Sequence, residues 1–499
     1  MPSGAALAAA SAALLALSYP KFNLGFLAWT AFLPLGLMLL RARNWKHAAA
    51  LSYLCWFLMG LCTFYWIYPV CLAGGLSDAL ALSALLLLSA VMAAEGGLLG
   101  WMLFFLARSA KWFPLTAACA LVALEWVKAE VLTKNFISFP WLLLGYSQWQ
   151  YPPVIQMASI TGAVGLSFFI SYPAFSLAYA MHTGMKNWKR VMLGPLVSTV
   201  VLLSFGFYEL SETLVKREGQ LTMRISVLQP NIDQYRKWSD KYLRWIERRL
   251  NQQLPQAALQ NPQLVVWPEA AVPNWLDASY TSWIGARAAG MKSPQLVGAI
   301  MQDEGRSYVR AVLFSAQGKV EGFYTKRQLV PFGEFVPMRA LLERHAKVLG
   351  KMGEFDPGPE EQAPLVVNGT AIGPLICYES IFPSLARTAA ASGARILVNL
   401  TNDGWYLDTS APYQHFAANV FRAVENRRPL VRAANTGISG WIDRWGIVRH
   451  ASALNTAAVL TFNIPLDKPE QTFYTQQGNL LAEMCLVVVL PFLIVGLIM

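Results

Sequence analysis

Three short polar stretches, each directly after a β-prone apolar run, carry residue types that belong together in a nucleophilic site: Trp267-Pro268-Glu269, Tyr324-Thr325-Lys326-Arg327 and Cys377-Tyr378-Glu379. A thiol is mostly protonated near neutrality, so it needs a base to become a nucleophile and a nearby cation to favour its thiolate. Glu269 can take the proton, and Lys326 can hold both thiolate and carboxylate. The same lysine, with the backbone N–H that follows Cys377, can steady the oxyanion of a tetrahedral intermediate. That chemistry is acyl transfer through a cysteine. Cys377 alone would carry little weight, since a lone cysteine beside isoleucines is usually a small core residue.

The elements that must position these groups lie between residues 220 and 470. MRISVLQPNI, PQLVVWPEAAVP, SPQLVGAIM, YVRAVLFSAQGKVEGFY, TAIGPLICYE, ARILVNLTND, PLVRAAN and AAVLTFNI read as strands, and YLRWIERRLNQQL and HFAANVFRAVENR as helices. About 250 residues in this pattern make one α/β domain able to bury its own core.

The flanking chain is different. The 499 residues are 55% hydrophobic and 14% charged, against roughly 25% charged in an ordinary soluble domain. Apolar segments near 4–18, 24–41, 47–71, 79–107, 114–132, 157–182 and 190–211 fill residues 1–215, and another occupies 480–499. Most approach the roughly 20 residues that cross a bilayer, which predicts about eight transmembrane helices. The net charge of +11 comes without a basic patch interleaved with stacking aromatics, so no nucleic-acid partner is expected. Its distribution instead reports topology: Arg41, Arg43, Lys46, Arg108, Lys111, Lys186, Lys189 and Arg190 fall on alternate connections, which puts both termini in the cytoplasm and the 220–470 domain on the periplasmic face of a bacterial inner membrane. Cys55, Cys62, Cys71, Cys119 and Cys485 sit in apolar runs without metal-ligand spacing. Glu95 and Glu125 lie in or near apolar segments and receive no role. The connection SFPWLLLGYSQWQYPPV reads as an interfacial or re-entrant element.

Beyond single residues, the phrases KRQLVPFGEFVP, LICYES, NLTNDGWYLDT and NRRPLVRAANTGISG, with FPWLLLGYSQ and IQMASITGAVGLSFF in the apolar half, resemble the membrane-embedded branch of the nitrilase superfamily, the apolipoprotein N-acyltransferases. The resemblance covers nearly the whole chain. It implies an αββα sandwich, a catalytic Glu269, Lys326 and Cys377, a second essential acid at Glu334, and supporting or substrate-contacting roles for Tyr378, Glu379 and Trp238. Trp238 and Trp405 are either packing aromatics or supports for acyl chains. Gln328 departs from the histidine of some relatives. The implied reaction is the last step of bacterial lipoprotein maturation: an acyl chain leaves the sn-1 ester of a phospholipid, phosphatidylethanolamine being the expected donor, and passes through a thioester to the α-amine of a diacylglyceryl-cysteine. No metal or organic cofactor is implied, and a monomer is expected. Two other readings are a membrane-tethered amidase of the nitrilase type and a transporter with an appended sensor domain. Eight spans exceed what an anchor requires, and a complete triad has no use in a sensor.

Overall fold

The computed structural model describes residues 3–132, 138–211, 213, 221–337, 354–466 and 470–499. The chain forms two compact units. One comprises Met1–Val215, Thr409–Glu425 and Thr472–Met499, and the other Lys216–Asp408 and Asn426–Gln471. The helix Ala411–Asn426, although it lies within 220–470 in the chain, thus belongs for nearly its whole length to the apolar unit.

The described regular elements of the apolar unit are all helical. Helices occupy each of the eight apolar segments, but among the described residues four are long and apolar enough to cross a membrane: Asp78–Ser109, Ala158–His182, Trp188–Ser211 and Leu480–Ile498. Trp45–Thr63 and Ile67–Ala73 make a fifth if taken as one span bent by 48°. The difference from eight has local causes. The first helix, Gly4–Ser18, has only 15 residues; the second opens as a 3₁₀ turn at Gly25–Leu27; and Phe113–Trp126 passes into a π-helical turn at Val127–Val131. Small residues let the helices approach. A β-carbon at Gly100 would lie 2.6 Å from the Ala48 carbonyl oxygen, and one at Gly96 would lie 2.5 Å from the Trp56 ring. Glycines four apart on one face therefore seat this helix against its neighbour, the contact mode that suits helices surrounded by lipid. Leu193, Leu196, Val197, Val200 and Phe207 point outward from Trp188–Ser211, each more than half exposed.

The second unit is built on two six-stranded sheets. In chain order the strands are β1 Thr222–Gln229, β2 Leu264–Val266, β3 Gln295–Asp303, β4 Arg306–Phe314, β5 Val320–Thr325, β6 Leu365–Val367, β7 Thr370–Ile376, β8 Ile396–Thr401, β9 Leu430–Ala434, β10 Gly440–Ile442, β11 Val448–Ala451 and β12 Ala458–Pro465. The sheet orders are β12-β1-β2-β3-β4-β5 and β11-β10-β9-β8-β7-β6. In each sheet three central strands run parallel, β1-β2-β3 and β7-β8-β9, and the outer ones antiparallel.

Side chains alternate between the two faces of a strand, and the burial follows that period. Ile225, Val227, Leu264, Val266 and Leu296 of the first sheet pack with Ile372, Ile376, Ile396, Val398 and Val431 of the second, forming the core between the sheets. The intervening residues Leu228, Val265, Trp267, Val297, Val312 and Phe314 face the other way and meet Ile246, Leu250 and Leu254 of helix Leu243–Ala258 and Ile284 and Ala288 of helix Ala278–Met291. Strands covered on both faces read as unbroken apolar runs, which is how LVVW and ILVNL look. Together with helix Pro383–Ala391, this is a layered sandwich of the expected αββα kind.

Candidate active site

The three polar stretches leave the sheets at strand ends that the core holds in place. Glu269 stands three residues beyond β2. Its segment is pinned by Trp267 N–H donating to the Leu296 carbonyl at 2.9 Å and Ala271 N–H donating to the Gly298 carbonyl at 2.8 Å. Lys326 is the first residue after β5, with its N–H on the Val309 carbonyl at 2.9 Å. Cys377 is the first residue after β7 and adopts a positive φ of 51°, a conformation that costs an L-residue on the order of 1–3 kcal/mol and that functional turns tolerate.

Glu269, Lys326 and Glu334 meet in one buried chain, and Cys377 lies within its electrostatic reach. Lys326 is fully buried, and its Nζ donates to Glu269 Oε1 at 3.0 Å and to Glu334 Oε1 at 2.6 Å. The second oxygens of both acids are also occupied: Asn402 N–H donates to Glu269 Oε2 at 3.1 Å, and Val330 N–H to Glu334 Oε2 at 2.8 Å. Burial alone would lower the Lys326 pKa, but Glu269 and Glu334 outweigh it and raise it well above the usual lysine range, with Cys377 adding to the effect. Burial, partly offset by Lys326, raises the pKa of the Glu334 carboxyl. For Cys377, burial pushes the thiol far up, Glu269 pushes it further, and Lys326 and a hydrogen bond with Thr401 only partly oppose them. These effects favour the neutral form of the Cys377 thiol. The lysine expected to favour a thiolate is present, but its ammonium is bound first by the two carboxylates.

Glu379 lies elsewhere in the network. It is fully buried and accepts from the N–H groups of Ile376 at 2.7 Å and Arg327 at 2.6 Å and from the Tyr324 hydroxyl at 3.0 Å. It thereby ties the turn that begins with Lys326 to the turn that begins with Cys377. Tyr378 is buried edge-on against Phe382, ring centres 5.1 Å apart. Trp238 is 46% exposed and outside the hydrogen-bonded cluster; Trp405, similarly exposed, meets Tyr235 edge-on at 6.1 Å.

Residues not singled out from the sequence line the floor. Arg432 is completely buried, with hydrogen bonds to the Asn399 side chain, to Asp403 Oδ2 at 2.7 Å and to the Ile438 carbonyl at 3.1 Å. Asn399 donates to the Leu375 and Cys377 carbonyls at 3.0 and 3.4 Å, and Thr401 donates to Asp403 Oδ1 at 3.1 Å. The signal was an asparagine, a threonine and an arginine inside otherwise apolar strands, where buried polar groups need partners. The same frame predicts a sensitive neighbour. A β-carbon at Gly298 would lie 2.4 Å from the Pro268 carbonyl oxygen and 2.6 Å from Glu269 Cα, so Gly298→Ala must displace the segment that carries Glu269. We expect acylation of Cys377 to slow by about 10²-fold, the scale of an ångström-sized misplacement. Gly290→Ala, where nothing lies within 4 Å, is the control. Equal rates for the two variants would show that Glu269 does not set the rate.

The carbon–nitrogen hydrolase family model matches residues 223–474, and the model of the apolipoprotein N-acyltransferase N-terminal domain matches residues 11–176. The apolipoprotein N-acyltransferase of Geobacter metallireducens is 35% identical over 496 residues, covering 96% of this chain and 92% of that protein. The chain belongs to the apolipoprotein N-acyltransferase family. The enzymes of that name from Brucella melitensis biotype 1 and Nitrosomonas europaea are 32% and 31% identical, and cover 75% and 78% of this chain. As an apolipoprotein N-acyltransferase family member with a carbon–nitrogen hydrolase domain, the chain is an acyl-transferring enzyme, and the buried Glu269–Lys326–Glu334 chain lies within the hydrolase segment.

Proposed function

We propose that this chain acylates the α-amine of the N-terminal diacylglyceryl-cysteine of lipoproteins, taking the acyl chain from the sn-1 ester of a phospholipid, phosphatidylethanolamine in particular. The observation that carries the reading is the lysine held between two buried carboxylates with a neutral thiol in their field. In the first half-reaction Glu269 takes the Cys377 proton as sulfur attacks the ester carbonyl. The oxyanion is met by Lys326 and by the N–H after Cys377. Collapse breaks the C–O bond, the proton on Glu269 goes to the departing lysophospholipid, and a thioester remains. In the second, the lipoprotein amine attacks the thioester and gives its proton to Glu269, and the C–S bond breaks as that proton passes to sulfur, restoring the thiol and the carboxylate. Glu334 keeps Lys326 in place and neutralised, Glu379 and Tyr378 shape the turns, and the exposed Trp238 and Trp405 support acyl chains at the mouth.

Positive-inside counting supports a periplasmic site, with both termini cytoplasmic and the shorter apolar helices completing eight passes. Donor and acceptor then share one leaflet with the site. Water exclusion matters because hydrolysis would discharge the thioester.

The test has two stages. After incubation with phosphatidylethanolamine vesicles, mass spectrometry is expected to find one acyl group on Cys377. Addition of a diacylglyceryl-cysteinyl peptide is expected to discharge it as an amide. Glu269→Gln is expected to slow the first stage by about 10²–10⁴-fold, the usual contribution of a general base; normal acylation of that variant would move the base elsewhere.

A further inference from the structure

The loop after β1 carries a charged side chain that the triad leaves unused. Lys237 is 1% exposed, yet among the described residues its ammonium forms no hydrogen bond or ion pair. The Trp238 ring lies 5.6 Å from Nζ, a contact that steadies a cation without neutralising it. The loop is not loose. Asn231 and Ile232 donate to the backbone and side-chain oxygens of Asn435 at 3.0 and 2.9 Å, and the Asn402 side chain hydrogen-bonds Gln234. The same Asn402 holds Glu269 Oε2 through its N–H, so one residue fixes both the Lys237 loop and the base. The Glu269 carboxylate acts on Lys237 from a distance, opposing a burial effect that lowers the lysine to about 8. Its two oxygens accept from Lys326 and from Asn402 N–H, and no ion pair joins it to Lys237 among the described residues.

A buried ammonium without an anion is costly, and the cost disappears when a ligand brings the anion. We propose that Lys237 binds the phosphodiester of the donor lipid's headgroup. The assignment rests on the reading of a phospholipid as donor. In that lipid the phosphate is joined to the attacked ester through the glycerol backbone, so a cation on the loop that Asn402 ties to the base is suitably placed for it. The acceptor's diacylglyceryl-cysteine has no phosphate. Lys237 therefore favours the donor in the first half-reaction, and it loses its anion when the lysophospholipid leaves, which clears the site for the acceptor.

The test compares two esters of one acyl chain: dipalmitoyl phosphatidylethanolamine in detergent micelles, and p-nitrophenyl palmitate, which lacks phosphate. Single-turnover palmitoylation of Cys377 is followed by mass spectrometry in the unsubstituted protein, in Lys237→Met and in Lys237→Gln, so that two side chains of similar length guard against a folding artefact. Loss of one charge-assisted hydrogen bond predicts that the ratio of phospholipid rate to p-nitrophenyl rate falls by roughly 30-fold. An unchanged ratio, whether both rates fall or neither does, overturns the proposal and assigns Lys237 to the oxyanion or to the fold. If the unsubstituted protein is acylated by the p-nitrophenyl ester alone, the phospholipid donor and this assignment fail together. If neither ester acylates it, the acyl-transfer reading itself fails.

Discussion

Replacing Cys377 with alanine is expected to remove the acyl adduct and lower transfer to a lipoprotein peptide by roughly 10⁴-fold or more, the scale on which nucleophile deletions act. Among the described residues, the amine nearest to hand cannot take its part. Lys326 is locked between two carboxylates and held protonated, so its amine is unavailable for attack. Structure should survive the change, because alanine has the same difficulty with a φ of 51° as cysteine does and only one buried sulfur is lost, about 1 kcal/mol or less. Cys377→Ser is expected to fail nearly as completely, since a hydroxyl is a far weaker nucleophile than a thiol under the same base. Circular dichroism and melting should therefore match the unsubstituted protein while mass spectrometry finds no adduct. Transfer persisting in Cys377→Ala would sink the thioester route.

Much of this arrangement was legible because chemistry and strand pattern coincide. Glu269, Lys326 and Cys377 each follow a run of apolar β-formers, and parallel strands bring such ends to one edge of a sandwich. The longer strands were visible for the same reason: ILVNLT and TAIGPLI are long enough to show a buried run. β6, β10 and β11 have three or four residues each, too few to display any period, and their pairing is decided by neighbours distant in sequence. Helix Ala278–Met291 was also invisible as a pattern, because its buried residues are Ile284, Gly285 and Ala288, small side chains that make a weak stripe. The Asp277 side chain that accepts from Tyr280 N–H at 2.8 Å was the better signal. The apolar half shows the opposite difficulty. Composition reveals where helices lie but not where they break, and turns such as Val127–Val131 are set by packing around Glu125, which accepts from Leu144 N–H at 2.8 Å and from Ser167. The electrostatics of the site lay furthest from view. A sequence can nominate a lysine as the partner of a thiol, but only the distances reveal that two carboxylates share that lysine first.

That sharing makes Lys326→Met the most informative single change. The substitution keeps the volume of the side chain and removes the charge between Glu269 Oε1 and Glu334 Oε1. Catalysis loses the cation that meets the oxyanion, worth about 10²–10³-fold when one such donor is removed, and loses further because Glu269 is no longer positioned. Stability suffers separately. Two buried carboxylates now face each other without a counter-charge, and breaking a buried pair in this way costs about 3–5 kcal/mol. The pH dependence has a definite sign. Glu334 is held above its unfolded value even with Lys326 present, and without the lysine it must rise further. A carboxyl raised in the folded state contributes its stability below the unfolded pKa, and that stability is lost as pH rises through the folded pKa. The melting temperature of Lys326→Met should therefore recover on acidification toward pH 4–5, near the unperturbed glutamate value, and fall on the way to pH 8. Adding Glu334→Gln removes one of the two opposed charges. The double variant should regain most of the lost stability at neutral pH while acyl transfer stays low, which separates the lysine's work on the reaction from its work on the fold. A double variant that recovers transfer along with stability would make Lys326 a structural counter-ion only, and the oxyanion would then have to be met by backbone N–H groups alone.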